Sequence, residues 1–479
     1  EIAIVWLRRD LRLADNPALV DAARHGTVVP VYIWAPEEED PWQPGGAHRW
    51  WLHHSLHRLA EALKERGLKL IVRQGETLAQ LRDIIKETGA TAVYWNRLYD
   101  PHTLDRDKEI KAALRGDGVD AQSRNGALLF EPWTIKKDDG GPYQTFTSFW
   151  KACMREVEPP EPAGIPKGLR GPSEWPASES VEDLQLLPKI DWWEKLEPSW
   201  TPGEKGAQGN LGVFLRGTVD DYAKKRDYPS IRATSQLSPH LHFGEISPHQ
   251  IWHATRRAVD ESGRNGKAAH KFLAEIGWRE FSHYMLFNFP HTDLEPLYSR
   301  FDNFPWRESE DDLERWRRGQ TGYPIVDAGM RELWETGWMH NRVRMIVGSF
   351  LVKHLLLPWQ EGARWFWDTL VDGDLANNTM GWQWTGGCGA DAAPYFRIFN
   401  PILQAVKFDK DGEYIKHWVP ELKDLPAKHL GAPWEAPDDV LAEAGVKIGE
   451  TYPEPMVDHK EARERALDAF QQVKEMGKS

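Results

Sequence analysis

The sequence contains very little cysteine and no long apolar run. Cys153 and Cys388 are the only cysteines among 479 residues, which excludes a disulfide framework and a zinc site built on cysteine. No segment approaches the roughly 20 consecutive apolar residues of a membrane-spanning helix. The chain opens on a strand-like run, Ile2–Leu7, rather than on a signal peptide. These absences predict a protein of the reducing cytosol that has no membrane partner.

Several motifs that mark common enzyme classes are also missing. WLRRDLRLADN follows the first strand, where a dinucleotide-binding Rossmann fold has G-x-G-x-x-G. Neither a P-loop nor G-x-S-x-G occurs, which argues against an NTPase and a serine hydrolase. His53, His54 and His57 fit one helical turn, but a surface patch is the commoner explanation of such a group. We therefore expect no metal site.

The net charge of −13 argues against binding nucleic acid through overall charge. Much of the acid is concentrated in Glu37–Asp40, in Glu308–Asp312 and after Glu435. A local basic groove stays compatible with this charge, because phosphate contacts act over roughly 8–10 Å.

Residues 1–130 alternate short β-type runs with amphipathic helical stretches, which predicts a doubly wound parallel sheet of the Rossmann-like kind. The predicted strands are Ile2–Leu7, Val28–Ile33, Leu68–Val72, Thr91–Trp95 and a weaker one near Val119. The predicted helices are Pro17–Arg24, Ala47–Arg66, Thr77–Thr88 and Thr103–Leu114.

The rest of the chain has a different pattern. The sequence becomes rich in proline and glycine from about Glu156 to Gly209, and residues 131–209 are predicted to form an interdomain linker. Residues 210–479 predict an all-helical domain with helices at Leu211–Lys225, Pro248–Val259, Lys271–Phe287, Asp311–Arg318, Pro324–Thr336, Arg342–Leu356 and Gly362–Leu370. The fold class is therefore α/β followed by all-α.

Tryptophan is unusually frequent. The chain has 25, and nine of them fall between Trp306 and Trp384. Most are expected to be core anchors, while a minority stack on a ligand or carry electrons. Asp372, Asp374 and Asn378 stand beside Trp382 and Trp384, and such polar groups next to indoles suit a pocket for a flat ring with polar edges. A buried tryptophan pair with satisfied N–H groups explains the W-x-W motif equally simply.

Three further segments carry groups suited to binding. The hydroxyls of TSQLSP precede a helix start and suit either an anion such as pyrophosphate or ordinary N-capping. Glu275 and Trp278 share a helical face, where an indole can keep a carboxyl group protonated, although an amphipathic boundary explains the pair as well. WMHNRVRM offers amide, guanidinium and thioether groups.

Four long segments are similar to those of one family. In chain order they are WLRRDLRLADNPAL, TSQLSPHLHFGEIS, TGYPIVDAGMRELWETGWMHNRVRM, and DGDLANNTMGWQW with DAAPYFRIFNP. Together they resemble the photolyase/cryptochrome flavoprotein family over nearly the whole chain. The resemblance implies a U-folded FAD inside the helical domain, which agrees with the missing Rossmann glycines. By motif, its contacts would be Tyr222, Thr234, Ser235, Gln236, Leu237, Ser238, Phe272, Glu275, Arg279, Trp338, Asn341, Arg344, Asp372, Asp374 and Asn378.

The resemblance also implies an activity. A cyclobutane pyrimidine dimer in UV-damaged DNA is flipped into a pocket and split by an electron from light-excited reduced flavin. The catalytic residues would be Glu275, Trp278, Asn341, Met345, Asn378 and Trp384, with Trp278 and Trp384 stacking on the dimer and protonated Glu275 donating to it. Trp382, Trp359 and Trp306 match the family's electron relay. Arg226, Arg342 and Arg397 would contact DNA, and the expected enzyme is a monomeric lyase of the prokaryotic cytoplasm.

The subclass follows from a few positions. Asn378 stands where plant cryptochromes carry Asp, which favours repair over the alternative of a blue-light photoreceptor. Plant-like motifs such as LYDPHTLDRD combined with repair residues resemble class III photolyases, which implies methenyltetrahydrofolate as an antenna. His102 and Thr103 replace the Asn-Glu of folate-binding class I enzymes, and Gln236 replaces a common Arg or Lys. A tryptophan-rich binding module and a dark flavin oxidoreductase are the alternatives outside the family.

Overall fold

The computed structural model describes residues 1–156 and 158–476. Its sheet has five parallel strands in the order β3-β2-β1-β4-β5. The strands are β1 (Ile2–Leu7), β2 (Thr27–Trp34), β3 (Ile71–Gln74), β4 (Ala92–Asn96) and β5 (Asp120–Arg124). The predicted parallel sheet is confirmed, and the bounds of its strands differ from prediction by up to three residues.

Four helices connect these strands: α1 (Pro17–His25), α2 (Gly46–Lys64), α3 (Thr77–Thr88) and α4 (Pro101–Gly116). Asn16 begins α1, because its side chain accepts from the Leu19 N–H while Pro17 supplies the first helical φ. The β-branched residues of the strands and the isoleucines and leucines of α3 and α4 form one buried cluster. The predicted alternation of strand and helix therefore buries a continuous core.

The predicted linker contains a helix that the proline-rich composition concealed. Helix α5 (Phe146–Glu156) carries Phe146, Phe149, Trp150 and Cys153 at helical spacing. This apolar spacing was visible in the sequence, and it packs α5 onto a helix of the following region, as described below.

The helices after the linker are α6 (Glu204–Arg216), α7 (Tyr222–Lys225), α8 (Ser238–His242), α9 (Pro248–Ser262), α10 (Gly266–Asn288), α11 (Glu310–Arg317), α12 (Pro324–Thr336), α13 (Asn341–Ser349), α14 (Trp359–Thr369), α15 (Leu375–Gly386), α16 (Pro401–Phe408), α17 (Glu413–Trp418), α18 (Asp438–Glu443) and α19 (His459–Met476). The predominantly helical character of this region is confirmed. None of the helices in the described part of the chain is long and apolar enough to cross a membrane.

Two predicted helices are interrupted, and the helices after residue 370, α15 to α19, were not predicted. Leu211–Lys225 was wrong as a single helix, because Gly217 leaves the helical region at φ −157° and a 3₁₀ turn follows. Arg342–Leu356 was wrong in the same way, because the helix changes to a π-turn over Phe350–His354. Helix α15 was not predicted, since its polar and glycine-containing sequence lacks an apolar stripe.

The described chain divides into two compact units. The first comprises Glu1–Ala223, Ser235–Pro290 and Val371–Ala376, and the second comprises Lys224–Thr234, His291–Leu370 and Asn377–Ser479. The first unit groups the sheet with several helices of the later region. The domain boundaries near residues 130 and 210 therefore stay predictions.

Candidate functional site

In the first unit, one buried arginine holds the segment after β1. Arg12 is 1% exposed. Its guanidinium donates to the backbone carbonyls of Ala14, Asp15, Gly126 and Gly244. Gly244 has φ +64°, and a Cβ added there would lie 2.1 Å from the Arg9 carbonyl oxygen. The segments WLRRDLRLADN and TSQLSPHLHFGEIS therefore contact each other and serve the fold.

The carboxyl end of the sheet, where a Rossmann fold places a nucleotide, is closed by protein groups. Arg8 follows β1, donates to the Asp107 carboxylate at 2.6 Å and also bonds the Asn96 carbonyl. Its guanidinium lies 4.1 Å from the centre of the Trp6 ring. These contacts agree with the absence of the phosphate-binding glycines.

The predicted phosphate loop contains a strained residue. Gln236 has φ +53°, a conformation that costs a non-glycine residue on the order of 1–3 kcal/mol. Asn210 donates to its carbonyl oxygen at 3.4 Å. Leu237 is buried, whereas Ser235 and Gln236 are half-buried and Ser238 is exposed at the start of α8. Strain of this kind is typical of ligand-binding loops, so these contacts stay a prediction that the conformation favours.

Helix α10 carries four of the predicted residues. Phe272 is buried against Tyr222, with ring centres 5.5 Å apart. One turn later, the Glu275 carboxylate lies 3.6 Å from the Lys271 ammonium and is 27% exposed. The hydrogen bond from Glu275 to a lesion stays a prediction. Trp278 is half-buried and stacks on Phe146.

The next residues of α10 bind the segment that follows β5. Arg279, a predicted cofactor contact, donates to the Ala127 carbonyl at 2.8 Å. Glu280 accepts from the N–H groups of Leu129 and Phe130 at 2.8 and 3.1 Å. Burial raises the pKa of Glu280 to about 7, although Arg279 and these N–H groups favour the charged form. The contact of Glu280 with Leu129 and Phe130 was not predictable from local sequence, because these residues lie about 150 positions away along the chain.

Asp372 and Asp374 are both buried in the first unit. The Asp374 carboxylate lies 3.4 Å from His283 and 3.8 Å from His242, whose ring stacks on that of His48. Burial alone would raise the pKa of Asp374, but the two histidines outweigh it and hold the pKa well below its usual range. Asp374 is therefore a fixed negative charge.

In the second unit, a backbone contact orients the carboxamide of Asn378. Its Nδ2 donates to the Ala363 carbonyl of α14 at 2.9 Å. The carboxamide oxygen accepts from no residue in the described part of the chain. A donor on one side and an unused acceptor on the other suit the N–H-bearing edge of a flavin.

The Trp382 ring packs directly against the backbone of α14 at Gly362. A Cβ added to Gly362 would lie 2.1 Å from the Trp382 ring, so only glycine lets α14 approach this closely. Phe366 and Trp316 pack edge-on against the same indole, with ring centres 4.9 and 6.1 Å away. Among the described residues, none accepts a hydrogen bond from its buried indole N–H.

The other two relay candidates also belong to the second unit. Trp359 is buried at the start of α14, one turn before Gly362. Trp306 is half-buried and packs on Phe304, with ring centres 4.3 Å apart. The Arg307 N–H donates to the Leu356 carbonyl at 2.8 Å, which fixes the segment after Trp306 close to the start of α14.

The start of α13 gathers the predicted amide and guanidinium groups. His340 is buried, accepts from the Arg342 N–H at 3.1 Å and has a pKa lowered by burial to about 4. Arg344 donates to the Met339 carbonyl, and its guanidinium lies 5.9 Å from the centre of the half-buried Trp338 ring. Asn341 is exposed and Met345 half-buried.

Arg342 is half-buried and has partners on two distant segments of the chain. Its guanidinium pairs with Asp227 at 2.9 Å and lies 4.4 Å from the centre of the Phe408 ring. On the segment before and within α16, large apolar side chains are exposed together with Arg397, namely Phe396, Leu403 and Val406. The sequence had not indicated Asp227 or Phe408, because each lies far from Arg342 along the chain.

A buried lysine supports the segment that carries Arg397. Lys353, in the π-turn, is 1% exposed and donates to the Arg397 carbonyl at 3.1 Å. Burial lowers the pKa of Lys353 to about 8. No group of three or more His, Cys, Asp or Glu side chains among the described residues could hold a metal.

The chain matches two families along most of its length. Residues 3–167 match the family described as DNA photolyase, and residues 272–472 match the FAD binding domain of DNA photolyase. Among single proteins, it is 51% identical to a deoxyribodipyrimidine photo-lyase of Agrobacterium fabrum over 98% of each chain. It is 44% identical to Cryptochrome-2 of Arabidopsis thaliana over 98% of this chain and 79% of that protein.

Solved structures agree with these matches. A bacterial class III photolyase from Agrobacterium tumefaciens superposes with a TM-score of 0.95 at 50% identity, covering 99% of this chain and 98% of the other. A cryptochrome from Synechocystis superposes with a TM-score of 0.89 at 30% identity, covering 98% and 99%.

Proposed function

This chain belongs to the photolyase/cryptochrome family of flavoproteins, and from that premise we infer that it is a deoxyribodipyrimidine photolyase, which uses light to split cyclobutane pyrimidine dimers in DNA. Asn378 carries the choice of repair over photoreception. Its amide N–H already donates to the Ala363 carbonyl. A carboxylate in its place would face that carbonyl without a proton to donate, so the backbone of α14 favours asparagine.

The residues that would hold the cofactor are assigned by the family motifs. FAD, when bound, supplies the absorption of light and the electron that splits the dimer. Asn378 would accept from the flavin edge, and the strained loop at Gln236 would present its polar groups to the phosphates. These assignments rest on the family motifs and on the orientation of the Asn378 carboxamide.

The lesion pocket would be lined by partly exposed side chains. Trp278 keeps one ring face without a parallel ring partner among the described residues, and such a face suits stacking on a flipped base. Glu275 would donate to the lesion after its contact with Lys271 is broken. Asn341, Met345 and the half-buried Trp384 would complete the pocket.

Trp382, Trp359 and Trp306 would carry electrons between the cofactor and the surface. Their burial supports this order, since Trp382 and Trp359 are buried and Trp306 is half-buried. The indole N–H of Trp382 has no acceptor among the described residues, so an oxidised Trp382 would have no immediate base within the protein to take its proton.

DNA contacts would involve Arg226, Arg342 and Arg397 despite the net charge of −13. Arg342 would exchange Asp227 for a phosphate while it keeps its place over the Phe408 ring. Because all these residues come from one chain, we propose that the enzyme acts as a monomer. We place it in the prokaryotic cytoplasm, where its chromosomal substrate lies.

A folate antenna stays part of the proposal. The class III likeness favours methenyltetrahydrofolate, but its contacts do not follow the class I pattern. The hydroxyl of the buried Thr103 donates to the Asp100 carbonyl at 2.9 Å and so serves the start of α4. A folate band in the spectrum of purified protein would support the antenna.

Light-dependent loss of dimers tests the function directly. We expect flavin bands in purified protein, and loss of dimers from UV-irradiated DNA under blue light but not in darkness. Flavin bands without repair would instead indicate a cryptochrome photoreceptor. Glu275→Ala should lower the yield of repair more than the FAD content, whereas equal losses would assign Glu275 a structural role.

A further inference from the structure

Three aromatic rings form a nearly parallel stack between α5 and α10. Phe146 lies 3.9 Å from Trp278, centre to centre, and the ring planes differ by 10°. The Trp150 ring is also nearly parallel to that of Phe146, with ring centres 6.1 Å apart and planes inclined by 13°. Neither α5 nor its aromatic residues belong to the site expected from the sequence.

The Trp150 ring packs against the backbone of α10. The contact is direct, because a Cβ added to Gly277 would lie 2.7 Å from this ring. Gly277 is the residue before Trp278. Nearby, Phe149 packs on Phe281 and Tyr284, with ring centres 5.2 and 4.7 Å away. Helix α5 therefore has little freedom to shift relative to Trp278.

This packing leaves Trp278 with one covered face. Phe281 meets the indole edge-on at 72°, and no second parallel ring contacts it among the described residues. Trp278 nevertheless stays half-buried rather than buried. Phe146 therefore covers one face of the indole, and no aromatic ring among the described residues stacks on the other face.

We propose that Phe146 is a positioning residue for the lesion: it fixes the plane of Trp278 so that the opposite indole face is ready to stack on a flipped pyrimidine dimer. This inference rests on the proposed lesion pocket. Without Phe146 the indole tilts, and part of the stacking energy is spent on ordering it. Contacts to intact DNA, which are made to phosphates, do not depend on the tilt.

Binding to a dimer-containing oligonucleotide and to the same oligonucleotide without damage, measured with FAD-loaded enzyme, tests the proposal. Phe146→Leu keeps most of the volume but removes the ring. It should weaken binding to damaged DNA roughly two- to tenfold, the range of one aromatic pair, and leave binding to intact DNA and FAD content unchanged. Phe146→Tyr should restore discrimination. Phe149→Leu, a matched change on the same helix, should lower thermal stability without affecting discrimination.

A double-mutant cycle with Trp278→Ala separates the possible failures. If Phe146 acts through Trp278, the double variant should bind damaged DNA no more weakly than Trp278→Ala alone. Additive losses would overturn the proposal, as would equal losses for damaged and intact DNA. If Trp278→Ala weakens lesion binding and Phe146→Leu does not, this inference alone fails. If Trp278→Ala has no effect on lesion binding, both the proposed lesion pocket and the role of Phe146 are wrong.

Discussion

Gly362→Ala tests whether the contact between α14 and Trp382 sets the electron relay. The new methyl group would lie 2.1 Å from the Trp382 ring, whereas ordinary contacts begin at 3.4 Å. The indole must therefore retreat by about 1.3 Å or α14 must move. Overpacking of this size costs about 1–3 kcal/mol, and the better helix propensity of alanine offsets up to about 1 kcal/mol. We expect a lower melting temperature and slower photoreduction of oxidised FAD.

Gly348→Ala is the matched control, because a Cβ there would meet the same indole at 3.6 Å and Thr385 at 3.4 Å, both ordinary contacts. This variant should melt at or above the wild-type temperature and photoreduce normally. Photoreduction under blue light with an added thiol is followed by the loss of the oxidised flavin band. The idea that this contact positions the relay would be refuted if Gly362→Ala photoreduced its FAD at the wild-type rate under conditions in which Trp382→Phe did not photoreduce at all.

Three further substitutions have expected outcomes. Asn378→Asp loses the bond to Ala363, so the carboxyl pKa should rise and the variant should be destabilised by about 1–3 kcal/mol at pH 8, a loss that should shrink as pH falls toward about 4, as thermal melts would measure. Burial raises the pKa of Glu280 to about 7 in the folded state. Between about pH 4.5 and 7 the folded state therefore keeps a proton that the unfolded state has lost, and the free energy of unfolding falls as pH rises through this range. Glu280→Gln should flatten this slope and gain up to roughly 3 kcal/mol at pH 8, and an unchanged slope would contradict its burial argument. Trp306→Phe should slow photoreduction yet spare repair by pre-reduced enzyme, while unchanged photoreduction would remove Trp306 from the relay.

The sheet was predictable because its strands carry their own signal. Continuous apolar runs such as Ile2–Leu7 and Val28–Ile33 fit buried parallel strands, and turn residues bound them. Helix ends were harder. Gly217 interrupts an otherwise helical stretch, and the Asp220 carboxylate accepts from the Asn265 N–H at 2.8 Å, a partner that lies 45 residues away. Helix α5 was missed because proline-rich neighbours concealed a regular spacing of aromatic residues.

For the candidate site, residue types were predictable and contacts were not. Glu275 and Trp278 were expected on one face of a helix, and α10 places them so. The pairing of Glu275 with Lys271 follows from helical spacing and could have been foreseen. The contact of Asn378 with Ala363 and of Gly362 with Trp382 depends on how α14 and α15 pack, which no local pattern encodes.

The Arg12 guanidinium has a consequence for how the chain can be divided. Its acceptors at Gly126 and Gly244 lie 114 and 232 residues away in sequence. A nascent chain therefore completes this buried cation's partners only after residue 244 has left the ribosome. A fragment that ends near residue 130 lacks the Gly244 carbonyl, so this buried cation would lose one of its acceptors. Chimeras between relatives should consequently exchange the segment that contains Arg12 together with the segment that contains Gly244, because the two depend on each other.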